Sequence, residues 1–216
     1  MTTPNQEKRE EKIILDLCGG TGSWSKPYKD AGYDVRVITL PEFNILNWRR
    51  YPEIMEPIEN GSVYGILAAP PCTMFSRART TAKTPRDFRG AMEVVQACLS
   101  IIHECDYQNP YRLKFWAMEN PAGHLKRFMG LPAFKFHPYH FGDRHSKETY
   151  LWGNFSEPRK KPIKLNEKEL LQSRNNTRPL PPIPSEYKRD GKMKPVQIRR
   201  SITPQGFATA FFKANP

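Results

Sequence analysis

Read from its amino end, the chain alternates short apolar runs with polar, glycine-bearing breaks. Ile13-Ile14-Leu15-Asp16-Leu17 is a β-branched run stopped by Cys18-Gly19-Gly20-Thr21-Gly22-Ser23, which predicts a strand feeding a glycine loop. Residues 24–31 read as the helix that follows, with Pro27 near its first turn and Gly32 ending it. Asp34-Val35-Arg36-Val37-Ile38 alternates as a second strand, and residues 64–69 run apolar into Pro70-Pro71-Cys72. Met92, Val95, Leu99 and Ile102 recur at helical spacing within residues 88–105, and Phe115-Trp116-Ala117-Met118 is a further buried strand. Residues 137–155 read as two strands joined by Gly142-Asp143-Arg144-His145-Ser146-Lys147. From Thr203 the pattern is helical again (Phe207, Ala210, Phe211, Ala214), predicting a last helix that packs back on the domain.

Strands that alternate with helices and are themselves nearly all apolar predict an α/β fold, a doubly wound, mostly parallel sheet covered on both faces. Ligands of such sheets bind beyond the carboxyl ends of the strands. The glycine loop after Leu17, Cys72 after Ala69 and Glu119 after Met118 are therefore expected around one cleft. The chain divides into a flexible start (1–12), a catalytic domain (13–155), a basic proline-rich segment (156–200) and the C-terminal helix region (201–216).

Charge sharpens that division. The 216 residues carry a formal net charge of +12, and residues 156–200 hold 13 Lys or Arg against 5 Asp or Glu, with 7 of the 21 prolines. A stretch so basic and so poor in apolar residues is not expected to build its own core. It is the expected face for a polyanion, because neutralising phosphates releases counterions; a solvated tail is the plainer alternative. No apolar run is long enough to span a membrane, and the polar start lacks the apolar stretch of a signal peptide. Cys18, Cys72, Cys98 and Cys105 form no CxxC pair, so neither a disulfide framework nor a metal site is expected, and a reducing cytoplasm fits.

Three short motifs carry chemistry. Gly19, Gly20 and Gly22 let the backbone approach a ligand closely, although a tight turn with no ligand would use the same glycines. Ser25 stands where the third glycine of a dinucleotide fingerprint belongs, so a dinucleotide is the poorer choice. In Pro70-Pro71-Cys72-Thr73-Met74-Phe75-Ser76, two prolines fix the backbone ahead of a thiol at a strand end, as a covalent catalyst requires; a structural cysteine is the alternative. Glu119-Asn120-Pro121 sets a carboxyl at the end of an apolar strand, where desolvation raises its pKa and suits it to hold a proton.

In this order and spacing, residues 15–22, 70–76 and 119–121 resemble the C5-cytosine DNA methyltransferase family over roughly the first 155 residues. The resemblance implies a Rossmann-like, S-adenosylmethionine-dependent fold in which Asp16, Cys18, Gly19, Gly20, Thr21, Gly22, Glu42, Asn44 and Pro70 surround the cofactor. It implies that Cys72 attacks C6 of a flipped cytosine while Glu119 attends N3, and that a basic residue near the base is Lys147, with Arg144 second. The implied partner is double-stranded DNA; no metal and no membrane partner is expected.

The chain also departs from the family. Cys18 replaces a usual phenylalanine, Asn44 stands where an aspartate is common, and Glu42 is displaced from the second strand by Leu40-Pro41. Only residues 156–200 are available as a target-recognition region, and 199–208 stand in for the final motifs. This compactness is similar to small phage-type members and implies a short or relaxed target sequence. RNA methylation by the same chemistry, or a catalytically inactive DNA-binding relative, are the competing expectations.

Overall fold

The computed structural model describes residues 12–80, 82–108, 110–185, 187 and 194–216. Six strands form one sheet: β1 (Ile13–Leu17), β2 (Asp34–Ile38), β3 (Val63–Ala68), β4 (Phe115–Pro121), β5 (Phe134–Phe136) and β6 (Thr149–Asn154), in the order β2-β1-β3-β4-β6-β5. The pairs β1–β2, β1–β3 and β3–β4 are parallel, whereas β6 runs antiparallel to β4 and β5. The chain first winds outward from β1 to β2 and then returns to the other side of β1 as β3. That reversal places a crevice at the carboxyl ends of β1 and β3, where the glycine loop and Cys72 emerge.

Period-two alternation sorts the side chains onto the two faces. Ile13, Leu15, Leu17, Ile66 and Ala68 pack with Val95, Cys98, Ile101 and Ile102 of α3 (Phe88–Gln108). Ile14, Leu67 and Ala117 face the other way, against Trp24 and Tyr28 beside α1 (Lys26–Asp30) and against Phe207 and Phe211 of α7 (Gln205–Ala214). Helix α2 (Pro52–Glu59) and a 3-10 helix (Ile45–Arg50) cover the first face with α3, and a short α4 (Lys126–Met129) follows β4.

Helix α7 packs back as its pattern predicts. Phe207 stacks on Phe136 at 4.0 Å between ring centroids, and the Tyr28 hydroxyl donates to the Asn215 carbonyl at 2.8 Å. The Asn215 side chain also bonds both backbone groups of Ser156, so the last helix is tied to the segment that leaves β6.

Three expectations change in detail. The first helix is confined to Lys26–Asp30, because the Ser25 hydroxyl is drawn into the sheet to donate to Asp16 at 2.6 Å. Strand β4 continues through Glu119, Asn120 and Pro121, because β6 supplies antiparallel partners there. Residues 137–155 do not form a two-stranded pair of their own: the partner of β6 is the earlier Phe134–Phe136, and Pro138–Phe141 is a 3-10 turn begun by a proline that lacks a ladder donor.

The basic segment holds α5 (Glu167–Asn175), with no buried residue, and α6 (Pro195–Ser201), which buries Ile198. Expectations for residues 1–11, and for 186 and 188–193 within the basic segment, lie outside the described residues. Among the described residues no helix is long and apolar enough to cross a membrane.

Candidate functional site

Each of the three motifs is positioned by the sheet. Leu17 ends β1, and the chain then turns through positive φ at Cys18 (55°), Gly20 (55°) and Gly22 (67°). Gly19 is required for a different reason: a Cβ there would lie 2.4 Å from the Asp16 carboxyl carbon. Asp16 is fully buried beneath the loop and bonded to Ser25. Burial raises its pKa to about 7, against the opposing effect of the Ser25 hydrogen bonds. It therefore supports the glycine loop from below rather than facing open space.

The cysteine motif leaves β3 and is fastened to β4. The buried Asn120 amide donates to the Pro70 carbonyl at 2.9 Å. Beyond Cys72 the chain turns tightly, with the amides of Phe75 and Ser76 both donating to the Cys72 carbonyl at 3.0 and 2.8 Å. Phe75 is fully buried, and its carbonyl accepts from the His124 amide at 2.8 Å. Gly123 permits this docking, since a Cβ there would lie 2.2 Å from the Phe75 carbonyl oxygen. Arg86 closes the loop from outside, donating to the carbonyls of Met74, Ser76 and Arg79.

Cys72, Glu119 and Lys147, far apart in sequence, come close enough for their charges to act on one another. Burial pushes the Cys72 thiol up, the Lys147 ammonium pulls it down, and the Glu119 carboxylate raises it again. Burial likewise raises the Glu119 carboxyl, and Lys147 opposes that shift. The result is a thiol, a proton-holding acid and a cation grouped at the carboxyl ends of β3 and β4, the components needed for covalent attack on an electron-poor ring.

A separate cavity of about 870 Å³ lies beside this group. Gly20, Thr21, Gly22 and Glu42 line it, whereas Asp16, Cys18, Gly19, Asn44 and Pro70 do not, and none of Cys72, Glu119 and Lys147 does. Two of the expected cofactor residues have neighbours within the chain. Asn44 caps the 3-10 helix, its side-chain oxygen accepting from the Leu46 amide at 3.1 Å. Cys18 lies close to Cys98 of α3, and its thiol together with burial raises the Cys98 thiol well above its ordinary value. All four cysteines are free.

Arg144 is paired with Glu169 of α5 in a salt bridge. Other cations gather outside the three motifs. Arg86, Arg127 and Arg77 all depress the His124 imidazole, after burial itself, and so form a basic collar next to the cysteine loop. The sequence signal was present in Arg77-Ala78-Arg79, directly after the cysteine motif, but the contribution of Arg127 depends on Gly123 docking to Phe75. Among the described residues no group of acidic, histidine and cysteine side chains could hold a metal ion. Set against models of known protein families and against curated proteins, the chain matches none.

Proposed function

We propose that this chain is a DNA cytosine-C5 methyltransferase that uses S-adenosylmethionine. The observation that carries the reading is the grouping of Cys72, Glu119 and Lys147, contributed by three separate segments and mutually coupled by charge.

The large cavity is compatible with the cofactor. Its volume of about 870 Å³ falls within the roughly 300–1,000 Å³ usual for small-molecule clefts. At Gly20 a side chain would meet nothing within 4 Å, so the loop borders open space. Gly20, Thr21 and Gly22 would hold the cofactor through the backbone, and Glu42 would accept from ribose hydroxyls. When bound, S-adenosylmethionine supplies an electrophilic methyl group on a sulfonium.

The chain's own residues prepare the acceptor. A cytosine extruded from the stack meets Cys72, whose thiolate adds to C6 while Glu119 holds a proton at N3. The new C6–S bond moves ring electrons to C5 and makes that carbon nucleophilic. After C5 has been methylated, loss of its proton and departure of the Cys72 thiolate restore the aromatic ring. Lys147 favours the thiolate throughout, offsetting the cost of burying it.

Transfer of tritiated methyl groups to duplex DNA, followed by digestion to nucleosides, tests the reading. The expected product is 5-methyldeoxycytidine with the wild type and none with Cys72→Ala. Label in RNA but not in DNA would replace the substrate, and label in neither would contradict the activity.

A further inference from the structure

The large cavity has a wall that belongs to none of the three motifs. The segment after α5 contributes Arg178, Pro181, Pro182 and Tyr187 to it, alongside the glycine loop. Helix α6 holds that segment in place. Arg199 donates through Nε to the Pro181 carbonyl at 2.6 Å and through Nη2 to the Leu180 carbonyl, while Arg200 donates to the Asn176 carbonyl at 3.0 Å.

Among the other charges around the cavity, Lys29 is exposed to solvent and several of the rest are engaged. Lys26 pairs with Asp30 at 2.7 Å, and Arg144 pairs with Glu169. Burial raises the Asp143 carboxyl and the backbone amides of Gly206 and Phe207 at the start of α7 oppose that rise, while its Oδ2 has no hydrogen-bond partner among the described residues. Arg178 is different. It is half-buried, lies near the second cation Arg200, and forms no hydrogen bond or ion pair with another described residue. Burial and Arg200 both act against its charge, and Asp143 only partly compensates. Beside it on the same wall, His145 is 9% exposed, and its Nε2 has no hydrogen-bond partner among the described residues. A guanidinium withdrawn from water without a bonded acid is suited to receive an anion, and its planar fork matches a carboxylate.

We propose that Arg178 is the carboxylate anchor of this cavity, binding the amino-acid end of S-adenosylmethionine. The inference rests on the cavity being the cofactor site. It gives the proline-rich segment a part in cofactor binding in addition to any contact with nucleic acid.

Calorimetry on the full chain with two ligands tests it. S-adenosylhomocysteine carries the carboxylate, and 5′-methylthioadenosine shares the nucleoside and thioether but lacks the amino acid. Arg178→Met is expected to weaken S-adenosylhomocysteine about 10-fold or more, the range of a lost charge-assisted hydrogen bond, and to leave 5′-methylthioadenosine unchanged. Arg178→Lys should recover part of the loss. Equal weakening of both ligands, or of neither, would overturn the anchor while leaving the cofactor site standing. Unchanged S-adenosylhomocysteine affinity with weaker duplex DNA binding would reassign Arg178 to a phosphate. Failure of the wild type to bind either ligand would overturn the cofactor reading, and the anchor with it.

Discussion

Cys72 is held between two opposing charges, and this decides when it can react. Burial raises its thiol, so the thiolate is scarce near neutral pH unless Lys147 compensates. Removing the ammonium should raise the thiol further, and removing the Glu119 carboxylate should lower it. The midpoint of Cys72 alkylation by iodoacetamide, followed by peptide mass spectrometry, is therefore expected to move to higher pH in Lys147→Met and to lower pH in Glu119→Gln. Shifts of the same sign, or none, would show that the three groups do not act as one site. Cys72 and Glu119 were legible in the sequence because prolines and a strand end mark them. The partners of Cys18 and Asn44 were not: the first is a thiol on a distant helix, and the second is a capping bond that any Asn before a helix can make.

At the scale of elements, the cysteine loop works only as far as β4 holds it. The Asn120–Pro70 bond is buried, and an alanine at 120 would leave the Pro70 carbonyl without its donor. Asn120→Ala is expected to cost about 1–3 kcal/mol in urea unfolding, the penalty for an unsatisfied buried group. Its methyl-transfer rate should fall by more than the lost folded fraction explains, because the loop also loses its position. The helices α3 and α7 and the strands β1 to β3 were readable from periodicity, since each buries a face that its own residues declare. The extension of β4, the short β5 and the 3-10 turn at Pro138–Phe141 depend on which strand pairs with β6, and that is decided by residues far away in the chain.

Across the whole molecule, the basic excess divides into cations that hold the fold and cations that face outward. Within the basic segment Arg199, Arg200 and Lys160 donate to backbone carbonyls, so part of the stretch expected to meet a polyanion anchors itself, and Arg144 outside it is paired. Arg77 and Arg127, both exposed beside the cysteine loop, are better placed to meet phosphate. Duplex affinity measured by fluorescence anisotropy should fall steeply with salt. Arg77→Ala and Arg127→Ala should each reduce the log–log slope by about 1, as the loss of one phosphate contact does. Slopes equal to the wild type would place the nucleic acid elsewhere. The central claim, covalent attack by Cys72 on cytosine, is tested most directly by trapping. Duplex DNA containing 5-fluorocytosine cannot lose a proton from C5, so with S-adenosylmethionine the account predicts an SDS-stable protein–DNA adduct that is absent in Cys72→Ser. No adduct across varied duplex sequences, or an adduct that survives the Cys72→Ser change, would contradict it.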